Sequence, residues 1–146
     1  MGVYTRFKRD PNGLRSLVEL LESTPRKRRD RMIQVGMEED SEYTERALKY
    51  MIQFEDILEL SDLELAELIA HAAGRMTGIA ISLFDEEIQN RFLRNAPAKR
   101  LGEIREYLEH EVSKSEVGSA QIYLVTKVRE LEKSGALRVK CIPMGN

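Results

Sequence analysis

The chain has no tryptophan, one cysteine, four prolines and only 6% aromatic residues in 146. A β-sandwich or barrel draws on aromatic and β-branched runs, so their scarcity turns the expectation toward short amphipathic helices. The single cysteine, Cys141, has no intramolecular disulfide partner, which suits a reducing compartment. No apolar run approaches the roughly 18 residues of a membrane span. The basic N-terminus MGVYTRFKRDPNG lacks the apolar stretch that would follow in a secretory signal. These features lead to the expectation of a cytoplasmic protein.

Catalytic and metal-binding signatures are missing as well. His71 and His110 have no Cys/His/Asp cluster at ligand spacing around them, and His71 reads as a partly buried structural histidine. Gly74-x-x-x-Gly78 lacks the Gly-Lys-Ser/Thr that completes a phosphate loop, and reads as a tight helix–helix approach or as helix ends. Cys141 has no local base to activate it. The expectation is a binding protein without cofactor or metal, not an enzyme. Met32, Met37, Met51 and Met76 read as core gap-fillers, with an adaptable partner-binding groove as the other reading.

What the chain does have is charge, at 33% of residues, beside 42% hydrophobic residues, enough for a packed interior. The net charge of −2 is unevenly laid out. Residues 1–31 carry nine Lys/Arg against four Asp/Glu, and residues 32–146 carry fourteen against twenty-one. The run TPRKRRDR (24–31) reads most simply as a solvated helix face. No aromatic residue interleaves with it, so nucleic acid is not expected as a partner.

Residues 1–12 read as a basic tail closed by Pro11-Asn12-Gly13. A helix follows from Leu14 to Ser23, with Leu14, Leu17, Val18 and Leu21 on one face. Thr24 and Pro25 are placed to cap and open a second helix, which Gly36 is placed to end. Asp40 or Ser41 caps a third, whose apolar stripe is Tyr43, Ala47, Tyr50, Met51 and Phe54. Ser61-x-x-Glu64 is a capping box opening a helix apolar around much of its circumference, expected to be central. A short helical stretch runs from Gly74 toward Phe84, Asp85 caps another, and Pro97 opens the next. Ser113-x-x-Glu116 opens the last, lined by Val117, Ala120, Leu124, Val128 and Leu131 and ended by Gly135. The tail LRVKCIPMGN is read as a short extended segment. The fold class is all-α, with short helices stacked in an armadillo-like manner.

The stretch Pro97–Val112 shows two opposed faces. At about 100° per residue, Leu101, Ile104, Leu108 and Val112 fall on one side. Lys99, Glu103, Glu106 and His110 fall on the other as a row of mixed sign. On pattern alone this is an ordinary surface helix.

Three segments in order resemble the C-terminal region of the FliG family of flagellar motor switch proteins. Met51-Ile52-Gln53-Phe54, continued by Glu55-Asp56-Ile57, resembles the family's Met-Phe-x-Phe hinge, with Ile52 in place of the first Phe. Arg91-Phe92-Leu93-Arg94-Asn95 resembles the segment leading into its torque helix. Val128 to Ala136 resembles its closing Arg-Leu-x-x-x-Gly-Glu segment. The resemblance covers about residues 13–139. It implies a right-handed superhelical, armadillo-like subdomain over 13–54 ending in the hinge, then a six-helix, stator-facing subdomain over 55–146. Carried over position by position, a basic family residue falls on Lys99, an acidic one on Glu106, and a further basic one on Lys114. Lys114 lies where the family's Gly-Pro-Val-Arg turn is replaced by Val112-Ser113-Lys114-Ser115. A second acidic position is Tyr107 here, and an earlier basic one is Ser82, so the charge pattern is only partly kept.

The resemblance implies a rotor component contacting the stator protein MotA through Lys99, Glu106 and Lys114, and the charged face read from the helical spacing adds Glu103 and His110. The resemblance also implies contacts with neighbouring FliG-type subunits and with FliM, and a place at the inner-membrane face of the flagellar basal body. The family's N-terminal region and its Glu-His-Pro-Gln-Arg segment have no counterpart, so the expectation is a C-terminal fragment or a short paralogue. The alternative is a non-flagellar regulatory module similar to the N-terminal domains of MgtE-type magnesium transporters.

Overall fold

The computed structural model describes residues 3–143. Ten α-helices and no strand occur among the described residues, so the chain is all-α. It divides into two compact units, one of Met1–Ile52 with Arg138–Asn146 and one of Gln53–Leu137.

The first unit holds α1 (Val3–Arg9), α2 (Gly13–Ser23), α3 (Arg26–Glu39) and α4 (Ser41–Tyr50). The apolar stripe of α2 behaves as its spacing requires: Leu14, Leu17, Val18 and Leu21 are buried in one core with Tyr43, Ala47 and Met51. Asp40 caps α4 by accepting from the Tyr43 N–H at 3.1 Å. That bond, with Lys8 beside it, holds the Asp40 carboxyl below the ordinary aspartate value.

Four expectations are corrected here. Residues 1–12 are not simply a tail, because α1 forms and Tyr4 is buried in the core. The Tyr4 hydroxyl donates to the Met32 carbonyl, and its N–H donates to Glu39 Oε1 at 3.1 Å. Gly36 does not end α3. A β-carbon there would lie 2.5 Å from Tyr4 Cζ and 2.6 Å from Thr44 Oγ1, so it is glycine to let two neighbours approach. Thr24 does not cap α3; its hydroxyl turns back and donates to the Leu20 carbonyl at 2.6 Å. Finally, the chain from Arg138 onward belongs to this first unit. Its described part is irregular, not extended, with Lys140 at φ 46° and Ile142 buried in the core. Residues 144–146 of that tail lie outside the described residues.

The carboxylate of Glu22, on α2, is buried and accepts the Ile52 N–H at 2.7 Å. The Lys140 ammonium donates to the Met51 carbonyl at 3.2 Å. Two side chains distant in sequence thus satisfy backbone groups of the stretch that follows α4.

The second unit holds six helices: α5 (Phe54–Leu58), α6 (Asp62–His71), α7 (Gly74–Ile81), α8 (Glu86–Arg94), α9 (Ala98–Leu108) and α10 (Lys114–Lys133). The capping boxes at Ser61/Glu64 and Ser113/Glu116 both form, and Asp85 caps α8. Gly135, at φ 85°, follows α10 in the left-handed region that favours glycine. The central helix is α7, not α6. Six of its residues are buried, whereas Leu63 on α6 is 86% exposed. His71 is exposed, with Nδ1 2.9 Å from the Glu67 carbonyl, and is not a core histidine. Arg91 of α8 staples the turn before α6: Nη1 donates to the Leu58 carbonyl at 2.8 Å, Nη2 to the Leu60 carbonyl, and Nε to Asp62 Oδ1 at 3.3 Å.

Candidate partner-binding face

Helix α9 is held by α7, which packs along it. The contact is close because α7 presents Gly74 and Gly78 to it. A β-carbon on Gly78 would lie 2.7 Å from the Ile104 carbonyl oxygen, and one on Gly74 would lie 3.0 Å from Glu103 Cβ. Ile104 is fully buried at this seam, with Leu101 and Leu108 half-buried beside it. Arg100 reaches across to donate to the Ala70 carbonyl at 3.2 Å. The inner face of α9 is thereby fixed in rotation, and its outer face is fixed with it.

That outer face carries Lys99, Gly102, Arg105, Glu106 and Glu109, all exposed. None of its four charged side chains makes a hydrogen bond or ion pair with another described residue. Side chains in this state keep their hydration and their full field, which suits fast, reversible, salt-sensitive contacts.

The row read from sequence is altered in two places. The helix ends at Leu108, so Val112 is not on its inner face, and His110 lies in the bend after it. His110 is exposed and packs edge-on against Tyr107, with ring centroids 4.6 Å apart. Glu103 is tied up in holding the fold, because its Oε1 accepts the Arg75 N–H at 2.8 Å and satisfies one of the open donors at the start of α7. Lys114 is exposed at the first turn of α10. Arg105 and Glu109 belong to the outer face and were absent from the expected row. At about 100° per residue they lie roughly 100° and 60° beyond its edge, and only knowing which side α7 covers brings them in.

The segment 51–54 spans the division between the units. Met51 and Ile52 are buried in the first, and Phe54 is buried in the second against Phe84 with centroids 5.7 Å apart. Gln53, between them, is exposed and caps α5.

Comparison with known proteins matches residues 37–139 to the model of the FliG C-terminal domain. The chain belongs to the FliG C-terminal domain family. It is 26% identical to the flagellar motor switch protein FliG of Borreliella burgdorferi over 127 residues, covering 86% of this chain and 37% of that protein. It is 29% identical to FliG of Aquifex aeolicus over 123 residues, covering 83% of this chain and 38% of that one. The chain thus spans less than two-fifths of either curated relative. Among solved structures, full-length Aquifex aeolicus FliG superposes with a TM-score of 0.53 at 30% identity, over 84% of this chain and 39% of that chain. A FliG fragment from H. pylori gives 0.64 at 19% identity, over 94% of this chain and 66% of that chain, a likeness of fold alone. Membership of the FliG C-terminal family replaces the alternative reading as an MgtE-type module.

Proposed function

We propose that this chain is a component of a flagellar motor switch, acting by protein contact at the cytoplasmic, inner-membrane face of the basal body. The outer face of α9 meets the stator protein MotA. The observation that carries this reading is a row of exposed, unpaired charges of both signs on a helix locked in rotation by its neighbour, in a FliG C-terminal family chain. A stator contact has to form and release at every step. Screened surface charges permit that, whereas a desolvated apolar patch slows release.

Lys99 and Glu106 are the principal contact residues, supported by Arg105 and Glu109. His110 and Lys114 lie at the end of the row, while Glu103 keeps it in place. The segment Met51-Ile52-Gln53-Phe54 is the hinge, since exposed Gln53 alone separates side chains committed to two different cores. Neighbouring FliG-type subunits and FliM are the further partners.

The test is binding of the purified chain to a purified MotA-containing stator complex at several salt concentrations. The wild-type chain should bind weakly and lose affinity as salt rises. Lys99→Glu combined with Glu106→Lys should weaken binding about tenfold with helix content unchanged. Affinity that ignores both salt and the double reversal would remove α9 from the contact.

A further inference from the structure

Helix α3 is charged against its own dipole. Aligned peptide dipoles leave a helix partially positive at its N-terminus and partially negative at its C-terminus, so acids stabilise the first turn and bases the last. Helix α8 follows the rule, with Glu86 and Glu87 at its start and Arg91 and Arg94 at its end. Helix α3 reverses it. It begins Arg26-Lys27-Arg28-Arg29 with no acid in the first turn, and ends Glu38-Glu39 with no base in the last. No side chain caps its start.

The reversal is relieved only at the last turn, where Glu39 accepts the Tyr4 N–H at 3.1 Å and Lys8 lies 3.1 Å from Asp40 just past the helix end. Lys27, Arg31 and Glu38 are exposed, and none of them makes a hydrogen bond or ion pair with another described residue. Gly36 is the one fully buried residue of the helix, so its solvent face is broad, and Val35 is 48% exposed on it.

On that face Lys27, Arg31, Gln34 and Glu38 recur at i, i+4, i+7 and i+11, a single stripe roughly 16 Å long at 1.5 Å rise per residue. Its charge runs positive, positive, neutral, negative. Turned end for end, the stripe is its own complement: Lys27 comes opposite Glu38 of a second copy, and Arg31 opposite Gln34. The antiparallel arrangement also corrects the dipole mismatch, because each copy's cations then lie beside the other's negative helix end. Its acids likewise lie beside the other's positive end. A two-fold axis makes the contact isologous and closed.

We infer that α3 is a homotypic docking surface through which two copies of this chain pair antiparallel, with Lys27 and Glu38 exchanged between them. A polyanion such as nucleic acid fits less well, since α3 offers no aromatic residue for stacking and its last turn is acidic. Most of α3 precedes residue 37, where the family match begins. The inference therefore rests on the helix itself and not on the proposed motor role.

Sedimentation equilibrium of the full chain tests it. At low salt the weight-average mass should climb with concentration toward twice the 16.8 kDa of one chain. At about 0.5 M salt, where charges are screened within a few ångströms, it should fall back. Lys27→Glu should weaken association about tenfold by setting like charges opposite each other, and Glu38→Lys should do the same. The combined Lys27→Glu/Glu38→Lys chain should recover most of it, since the opposite-charge pair is restored and only the dipole contribution is lost. Each reversal also suits the dipole of the isolated helix, so loss of association cannot be put down to a melted α3. A chain that stays monomeric at low salt overturns the inference, and so does a double swap that fails to recover association. Binding of an oligonucleotide or an anionic vesicle through the same cations, without self-association, overturns it too.

Discussion

A β-carbon added at Gly78 would meet the Ile104 carbonyl oxygen at 2.7 Å and Tyr107 Cβ at 2.9 Å, whereas one added at Gly102 meets nothing within 4 Å. Both residues sit inside helices, where glycine costs conformational entropy relative to alanine. The same substitution should therefore act with opposite sign. Gly78→Ala forces α7 away from the α9 backbone and should destabilise by about 1–3 kcal/mol. Gly102→Ala fills open solvent and should stabilise by about 0.5–1 kcal/mol. Urea unfolding followed by helix circular dichroism reads both, and equal signs would contradict the close-approach account. Sequence alone shows the spacing of Gly74 and Gly78 but not which glycine has backbone against it. Glu22 was hidden for a similar reason. Its partner is the amide of Ile52, 30 residues on, and a backbone amide leaves no mark in the residue type.

At the scale of the element, the legible helix boundaries were those marked by a local side chain or by a glycine such as Gly135, and the others were not. Ser61, Asp85 and Ser113 signal through their own side chains and a residue three positions on, all within one turn. The end of α9 has no such marker. The apolar spacing runs on to Val112, yet the helix stops at Leu108 because Ser113 must be extended to cap α10. Glu109 and Glu111 would also crowd the negative end of a longer helix. The outer face of α9 depends in turn on a contact from its own stripe. Glu103→Gln weakens the bond to the Arg75 N–H by removing the charge that faces the α7 N-terminus. It should cost about 0.5–1 kcal/mol of stability in thermal unfolding, with little change in the salt dependence of stator binding. A variant with native stability but altered salt dependence would move Glu103 back among the contact residues.

At the scale of the whole molecule, the chain leaves its first unit at Ile52, builds the second, and returns at Arg138. The return was not legible, because Arg138–Pro143 has no helical or alternating pattern and reads as an appendage. Its anchoring is nonetheless specific: Ile142 joins Leu14, Leu17, Val18 and Met51 in the core, and Lys140 bonds the Met51 carbonyl. A discontinuous unit of this kind makes a local prediction about a distant residue. Ile142→Ala leaves a cavity in the first core and should cost about 2–5 kcal/mol there. Hydrogen exchange separates that effect from a general loss of stability. Amides of α2 and α4 should exchange faster, while those of α7 and α10 keep their protection. If the terminal segment were a tail on the second unit, α10 would lose protection first and α2 would be unchanged. If both units lost protection equally, they would unfold as one cooperative block, and the reading of segment 51–54 as a hinge would lose its support.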